Sequence, residues 1–377
     1  MVLCSWCVFR GVAARQTVVG IGRLLTLGLR SASVLALALL AIAFALRSEA
    51  GGSGPALAAD GMAAAGSMAA AGKAHSASAS TARAAPAPLI SVAELAQRLD
   101  DAGLRIVDVR SQQAYLTAHL PGAVNAPYAR WRGPPGNPGA LPQLASITAL
   151  LQQLGLSPEQ HVVVVSYGDD ASDFGAAARV YWTLKVHGLR SVSILNGGQQ
   201  AWVQAEQPTD PGQEVVKPST YQAVLDQRLL ARKEEVVQRI RNGGSQLIDA
   251  RPAAFYRGET RHAAALAAGT LKGARNLEHA RWFVPGTAQF VAADKAHSIA
   301  LAEKLHAEVD TVSFCNTGHW AATNWFALSE VLGFKDVKLY PGSMVEWTQD
   351  REVLPMDHVP NRLKALLIDA RLWMDRR

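Results

Sequence analysis

The stretch Thr311-Val-Ser-Phe-Cys315-Asn-Thr-Gly-His-Trp320 is the most informative part of this chain, because it predicts the local structure around Cys315. The β-branched and aromatic run that ends at Phe314 predicts a buried strand. From Ala321 onward the spacing of apolar residues is helical, and Gly333 is a typical C-terminal cap for that helix. Cys315 is therefore expected on a short loop between the end of a strand and the start of a helix.

This position has a chemical consequence for the thiol of Cys315. Free backbone N–H groups and the positive end of a helix stabilise an anion. Such surroundings lower the pKa of a cysteine and favour the thiolate, which is the nucleophilic form. A lone cysteine is otherwise an inert buried thiol. The loop context favours a reactive one.

The chain repeats itself, which predicts a duplicated domain. Three motifs of the first half recur in the same order in the second half, at unequal offsets that indicate different loop insertions. The pairs are Ile106-Val-Asp-Val-Arg110 with Leu247-Ile-Asp-Ala-Arg251, Leu120-Pro-Gly-Ala-Val-Asn125 with Leu271-Lys-Gly-Ala-Arg-Asn276, and residues 188–198 with residues 333–343.

Each half alternates short β runs with helical segments. This alternation is typical of an α/β fold in which a mainly parallel sheet has helices on both faces. Ligands of such sheets bind beyond the carboxyl ends of the strands, where Cys315 is expected. For the second half we predict helices at Lys233–Arg241, Ser298–Val309 and Ala321–Leu332, and strands at Gln246–Asp249, Thr311–Phe314 and Val337–Tyr340.

Taken together, these motifs resemble the tandem-domain rhodanese family, which includes thiosulfate and 3-mercaptopyruvate sulfurtransferases. The resemblance covers the chain from about Leu89 to about Pro355. It implies two tandem rhodanese-like domains, of which the second is catalytic and the first has lost its cysteine. The equivalent strand and loop of the first half contain no cysteine, and Asp169 or Asp170 is expected where the thiol would be.

The composition of the chain predicts where the domains begin and end. Residues 60–88 are rich in Ala, Gly and Ser and indicate a flexible tether, and a Pro-rich stretch indicates the linker between the domains. The predicted segments are a leader over 1–59, the tether, a first domain over 89–208, a linker over 209–221, a catalytic domain over 222–357 and a helical tail over 358–377.

The leader combines a positive flank, an apolar run from Ser33 to Leu46 and small residues before Asp60, which is typical of a secretory signal peptide. A periplasmic or secreted protein is expected. A membrane-anchored or organellar protein is the alternative, with membrane contact only through an uncleaved leader. Cys4 and Cys7 lie in this leader, so Cys315 is the one cysteine of the expected mature chain. One cysteine can form neither an internal disulfide nor a thiolate metal site, and no metal is expected.

The charge balance of the chain changes once the predicted leader is set aside. The chain has 37 Lys and Arg against 31 Asp and Glu, but residues 1–59 hold five Arg and one Glu. The remainder has 32 basic and 30 acidic residues, so its net charge falls from +6 to +2. The high pI therefore says little about binding of nucleic acid or membranes by the expected mature chain, and no nucleic-acid partner is expected.

The family resemblance implies sulfur transfer in two displacements without a cofactor. The thiolate of Cys315 would attack the outer sulfur of thiosulfate or a similar small donor and carry it as a persulfide. A thiol or cyanide would then accept the sulfur. Backbone amides of Asn316, Thr317, Gly318, His319 and Trp320 would stabilise the anionic sulfur. Because the duplication builds a cleft within one chain, a monomer is expected.

The same resemblance nominates residues that bind the substrate. The family uses the Asp-x-Arg region to hold an anionic donor, so Arg251 is a candidate, and a structural ion pair with Asp249 is its alternative. Family members often carry a second arginine four residues after the first. Here that position is Phe255, so either the substrate clamp is altered or Arg257 replaces the second arginine.

Two further features have open roles at this point. The segment 257–268, absent from the first half, contains Arg261 and His262 and either lines the cleft or, as we favour, lies on the surface. His319 could add positive charge near the sulfur or hold a proton, and the alternative is that it points outward and only fills the loop. Trp320 is expected to pack.

Other functions remain as alternatives to the enzyme. Cys315 could pass sulfur to a protein partner as a non-enzymatic persulfide carrier, or the repeat could be a protein-interaction module. A cysteine-dependent phosphatase needs an arginine six residues after the cysteine to bind phosphate. That position is Ala321, which counts against phosphatase chemistry.

Overall fold

The computed structural model describes residues 86–375. The predicted leader and most of the predicted tether lie outside these residues. Within the described part the chain forms the two predicted α/β domains, each built on a parallel sheet. No helix of this part is both long and apolar enough to span a bilayer, and no three His, Cys, Asp or Glu side chains of it come together as a metal site would require.

The first domain opens with a capping box. The Ser91 hydroxyl accepts a hydrogen bond from the Glu94 N–H, and the Glu94 carboxylate accepts one from the Ser91 N–H. The strands of this domain are β1 (Leu89–Ile90), β2 (Leu104–Asp108), β3 (Val124–Asn125), β4 (His161–Val165) and β5 (Val192–Leu195). Its helices are α1 (Val92–Ala96), α2 (Gln112–Thr117), α3 (Leu144–Gln153), α4 (Ala171–Val186) and α5 (Gly198–Gln204).

The second domain repeats this plan with additional short elements. Its strands are β6 (Gln246–Asp249), β7 (Thr270–Leu271), β8 (Arg275–Asn276), β9 (Thr311–Phe314), β10 (Val337–Leu339) and β11 (Met356–Asp357). Its helices are α6 (Lys233–Asn242), α7 (Ala253–Tyr256), α8 (Ala293–Ala302), α9 (Trp320–Trp325), which continues as a π-helical turn over Phe326–Val331, α10 (Ser343–Thr348) and, in the tail, α11 (Arg362–Met374).

Both main sheets are parallel throughout. The strand order is β1-β5-β4-β2-β3 in the first and β10-β9-β6-β8 in the second, while β7 and β11 form a separate antiparallel pair. Every residue of the central strand β4 is buried, because alternate side chains enter hydrophobic clusters on opposite faces. Helices therefore cover the sheet on both sides, which is the arrangement that the run of four valines at residues 162–165 predicts.

The register of the two sheets corrects one prediction about the first domain. Asp108 of β2 pairs with Val165 of β4, and Asp249 of β6 pairs with Phe314 of β9. The residue after Val165 therefore occupies the place of Cys315, and that residue is Ser166. Asp169 and Asp170, which the sequence placed there, lie further along the loop. The alignment of the two loops by sequence alone was wrong, because strand pairing sets which residue occupies the place of Cys315.

Two helix predictions also differ from the structure. The helix expected at Ser298–Val309 forms at Ala293–Ala302 instead, because the chain reverses at Lys304, whose φ is +51°. The helix expected at Ala321–Leu332 begins at Trp320, and its last part widens into the π-helical turn. Such turns often occur near functional sites.

A shared hydrophobic core joins the two domains across helix α4. Phe174 of α4 lies with its ring centroid 5.6 Å from that of Phe326, and Tyr181 of α4 lies 5.1 Å from the same ring. The Tyr181 hydroxyl also donates to Glu330 at 2.6 Å. Because this contact is apolar and buried, it holds α4 of the first domain against the loop and helix that follow β9.

Candidate active site

The Cys315 loop is anchored at its start by helix α10. The Cys315 N–H donates to the Ser343 hydroxyl at 3.0 Å, and the Cys315 carbonyl accepts from the Met344 N–H at 3.1 Å. Ser343 has a φ of +51°, a left-handed conformation that its hydroxyl supports by donating to the Tyr340 carbonyl at 2.7 Å. These bonds hold the thiol at the carboxyl end of β9, as the sequence predicted.

The loop offers backbone donors that have no partner of their own. Among residues 86–375, no group accepts a hydrogen bond from the N–H groups of residues 316–320. Gly318 turns the loop with a φ of +69°, and a Cβ there would lie 2.5 Å from an Arg179 nitrogen and 2.7 Å from the Pro341 carbonyl. Only glycine fits this place. Consecutive free amides of this kind form an anion-binding concavity.

The duplicated loop of the first domain shows such a concavity filled. It has the same length, from Ser166 to the start of α4, and its Gly168 N–H donates to a carboxylate oxygen of Asp173 at 2.6 Å. The same carboxylate also bonds to the Ser166 hydroxyl and the Tyr167 amide, which act against the rise in its pKa that burial causes. The corresponding residue of the second domain is Ala322, so there the loop remains open to an outside anion.

A cavity of about 650 Å³ opens above Cys315, which is 1% exposed. Its walls come from both domains, so the site is complete only when the two domains pack together. The first domain contributes Tyr128, Ala129, Arg132, Gly133, Pro135 and Pro138, and the second contributes His262, Cys315, Asn316, Thr317, His319 and Trp320.

His319 is held as a neutral ring with a defined tautomer. Its Nε2 lies 2.8 Å from the Ser172 carbonyl, which can only accept, so Nε2 carries the proton. Its Nδ1 then accepts from the Tyr128 hydroxyl at 2.8 Å. Burial, and after it the charge of Arg132, lower the pKa of His319 to about 3. The interpretation of His319 as a positive charge near the sulfur is therefore wrong at neutral pH.

We expect this ring to make the protein less stable in mild acid. The pKa of His319 lies below the ordinary value of 6.5, so the unfolded state binds more protons between about pH 6.5 and pH 3. The contribution of the neutral His319 ring to the free energy of unfolding is therefore fully present above about pH 6.5. It decreases as the pH drops, by about 2 kcal/mol between pH 7.5 and pH 5. Urea unfolding at these two pH values should show a smaller loss for His319→Gln than for the wild type. Equal losses in the two proteins would contradict this assignment.

Trp320 packs, as expected, and helix α4 again provides the support. Its indole N–H donates to the Ser172 hydroxyl at 2.8 Å, and its ring stacks on His279 with centroids 4.9 Å apart. Gly175 lies one turn further along α4, and a Cβ there would come within 2.8 Å of His319 Nε2. Ser172 and Gly175 of the first domain thus shape the last residues of the Cys315 loop.

Arg251 is engaged below the loop and not in the cavity. It is 1% exposed and donates from Nε and Nη2 to both carboxylate oxygens of Asp249, at 2.6 to 3.1 Å. A further bond at 2.8 Å reaches the Gly269 carbonyl. Nη1 contacts the side-chain oxygen of Asn316 at 3.3 Å, so Arg251 supports the loop from beneath. The structure places Arg251 as the structural ion pair that was its alternative role.

The structure does not bring Arg257 to Cys315. Its side chain is 54% exposed, pairs with Glu259 at 2.7 Å, and lines a separate cavity beside the tail helix α11. Arg261 also turns away and pairs with Asp369 of α11 at 2.8 Å. His262 does line the Cys315 cavity, so the inserted segment is not simply a surface loop as we favoured.

Arg179 is a functional neighbour that sequence reasoning missed. This buried α4 residue donates to the Gly139 carbonyl at 2.8 Å and to the Thr317 and Gly318 carbonyls at 3.3 and 3.4 Å. Burial lowers its pKa to about 10, so it stays positive at pH 7. Among the described residues no carboxylate pairs with it, and a thiolate at Cys315 would act favourably on its charge.

Sequence reasoning also missed the residues of the first domain that line the cavity, although a difference between the two copies could have pointed to one of them. The turns Tyr128–Trp131 and His279–Trp282 are equivalent 3₁₀ helices that end in tryptophans. The next residue is Arg132 in the first copy and Phe283, which is buried, in the second. The first copy therefore has a cation where the second copy has a buried aromatic residue, and this difference is the signal that could have pointed to Arg132.

Comparison with known proteins identifies a matching family model, relatives and solved structures of the same fold. The family model described as "Rhodanese-like domain" matches residues 91–205 and 232–350. The sulfur carrier protein TtuD of Thermus thermophilus is 29% identical over 276 residues, which cover 70% of this chain and 94% of that protein. The thiosulfate sulfurtransferase of Corynebacterium glutamicum is 30% identical over 278 residues, 70% of this chain and 88% of that protein. The crystal structure of SseA, a 3-mercaptopyruvate sulfotransferase from Escherichia coli, is similar with a TM-score of 0.61 and 24% identity, covering 68% of this chain and 99% of SseA.

Proposed function

Because this chain belongs to the rhodanese family of sulfurtransferases, we propose that it moves a sulfane sulfur from thiosulfate or a similar anionic donor to a thiophilic acceptor. The sulfur is carried as a persulfide on Cys315. One observation supports this more than any other: the amides of the Cys315 loop are free, whereas a carboxylate fills the duplicate loop of the first domain.

The first displacement loads the enzyme. The Cys315 thiolate attacks the outer sulfur of thiosulfate, a new S–S bond forms, and the S–S bond of the donor breaks. The electron pair of that bond leaves with sulfite, and no proton moves. The persulfide that remains carries one negative charge on its terminal sulfur, and the free amides of residues 316–320 would stabilise it.

The second displacement unloads the enzyme. Cyanide or a thiolate attacks the terminal sulfur, the Cys315 S–S bond breaks, and its electron pair restores the thiolate. With cyanide the product is thiocyanate. The cavity above Cys315 admits donor and acceptor in turn, since the thiol lies at its floor and both domains form its walls.

The test is sulfur loading followed by intact mass. Wild-type protein incubated with thiosulfate alone should gain the mass of one sulfur atom on the peptide that contains Cys315. Addition of cyanide should remove that mass and release thiocyanate in equal amount. Parallel incubation with 3-mercaptopyruvate compares the two donor classes of the family. A thiol that stays unmodified with every sulfane donor would refute the proposal.

A non-enzymatic persulfide carrier is the second candidate function. The name of the relative TtuD, sulfur carrier protein, supports this candidate. Loading without turnover on small acceptors would point to the carrier. Phosphatase chemistry has no such support, because the position where it needs arginine is Ala321, which is buried. Hydrolysis of an aryl phosphate that depends on Cys315 would revive it.

A further inference from the structure

We propose that Arg132, supplied by the first domain, binds the oxyanion of the sulfur donor. It would take the role for which the sequence nominated Arg251 and Arg257. The inference deepens the proposed sulfur transfer and rests on it. The class of substrate it implies is a small donor whose sulfane sulfur is attached to a sulfonate or a carboxylate-bearing group.

The position of Arg132 is the first argument. Its side chain lines the cavity that has Cys315 at its floor. The guanidinium lies over the Tyr128 ring, 5.1 Å from the centroid, and donates from Nη1 to the Tyr128 hydroxyl. That hydroxyl in turn donates to His319 of the catalytic loop. Arg132 is thus fixed to the loop across the domain boundary, while four of its five N–H donors remain for a ligand.

The charge of the cavity is the second argument. No Asp or Glu lines it, and among residues 86–375 no carboxylate lies within 4.0 Å of the Arg132 guanidinium. The two histidines of the lining are neutral at pH 7, because burial and the charge of Arg132 lower the pKa of both His262 and His319. Arg132 is therefore the permanent cation that faces the cavity.

The other basic residues nominated for this role are already neutralised. Arg251 donates to both oxygens of Asp249 beneath the loop, and Arg257 pairs with Glu259 in a different cavity. Arg179 is fully buried behind the loop and does not line the cavity. Of these arginines, Arg132 alone lines the cavity that has Cys315 at its floor.

The chemistry of the loading step explains why a positive charge at Arg132 would help the reaction. When the Cys315 thiolate attacks, the departing sulfite takes the electron pair of the broken S–S bond, so negative charge collects on the part of the donor away from the thiol. A guanidinium matches the planar pair of oxygens on a sulfonate or carboxylate through two parallel hydrogen bonds. It would hold the donor and stabilise the leaving group. It has no such role in unloading by dithiothreitol, which carries no sulfonate or carboxylate for the guanidinium to bind.

The test compares four variants with the wild type. Arg132→Gln removes the charge, and Arg132→Lys keeps it without the planar fork. Arg130→Gln is the matched control, because Arg130 is exposed and bonds to Gln153 outside the cavity. Tyr128→Phe removes the hydroxyl that links Arg132 to His319 but keeps the ring. For each protein we would measure kcat and KM for thiosulfate, and the rate at which dithiothreitol unloads the persulfide.

We expect Arg132→Gln to lower kcat/KM for thiosulfate by about 10- to 100-fold, the loss typical of one charged hydrogen-bonding partner. Arg132→Lys should recover part of it, Arg130→Gln should match the wild type, and unloading by dithiothreitol should not change. Wild-type loading by Arg132→Gln would overturn the inference. So would an equal loss in Tyr128→Phe, which would make Arg132 a support for the loop only.

Binding without chemistry separates this inference from the proposed function. Calorimetric titration of Cys315→Ser with thiosulfate, with and without Arg132→Gln, measures donor affinity when no persulfide can form. A loss of affinity of about tenfold or more supports the role of Arg132 even if the wild type never loads sulfur. Equal affinities would overturn the inference even if sulfur transfer is confirmed.

Discussion

Replacing Cys315 with serine should abolish sulfur loading and lower the rate of thiocyanate formation by at least about 10³-fold, as removal of a covalent nucleophile does in other enzymes. A serine hydroxyl needs a neighbouring base to become a nucleophile. His319 of the same loop is already engaged, since Nδ1 accepts from Tyr128 and Nε2 donates to the Ser172 carbonyl. Thiocyanate release and intact mass after thiosulfate would both report the loss.

The first domain offers a matched control for this variant. Ser166 occupies the place of Cys315 in the duplicate loop, so the double variant Cys315→Ser, Ser166→Cys moves the thiol to the other copy. We expect no rescue, because the Asp173 carboxylate already occupies the amides of that loop. Turnover by Cys315→Ser above about one-hundredth of the wild-type rate would show that the thiol is not the sulfur carrier.

Replacing Asp249 with alanine should reduce the free energy of unfolding by about 3–5 kcal/mol, the cost of removing one partner of a buried ion pair. Asp249 is fully buried and accepts from Arg251 and from the Thr270 hydroxyl at 2.7 Å. Without it the Arg251 guanidinium is left buried with no counter-charge. Sulfur transfer should fall as well, because Arg251 also contacts Asn316 of the loop. Urea unfolding monitored by tryptophan fluorescence measures the stability change.

Glu259→Ala is the control for this second variant. Glu259 also pairs with an arginine, but both side chains are 54% exposed, and solvent-exposed pairs contribute little to stability. We expect almost no change in unfolding and none in sulfur transfer, since Arg257 lies outside the cavity. A loss in Asp249→Ala no larger than in Glu259→Ala would contradict the role of the buried pair.

Much of the fold could be predicted because its signals are local. The run Thr311–Phe314 forms β9 with the predicted bounds, and Gln246–Asp249 forms β6 likewise. Ser91 and Glu94, three residues apart, form a capping box, for which Ser-x-x-Glu is the sequence signature. Each of these depends on residues a few positions apart, whose periodicity and hydrogen-bonding groups act within one element.

The errors arose where distant segments decide the outcome. Ser166, and not Asp169 or Asp170, takes the place of the thiol, because pairing between β2 and β4 sets the register. Arg251 was a candidate substrate ligand because the motif shows a guanidinium at a strand end. The motif does not show that Asp249 and Gly269 use most of its donors.

The amino-acid sequence alone was enough to predict the two-domain α/β fold, the strand–loop–helix around Cys315 and the family to which the chain belongs. These follow from short-range patterns and from a repeat that can be read along the chain. Only the tertiary structure decided which charges surround the thiol. Arg132 and Arg179 lie more than 130 residues before Cys315 and reach it because helix α4 packs on α9. Because that packing is apolar and has little directionality, no local sequence pattern predicts which polar groups it brings to the cavity.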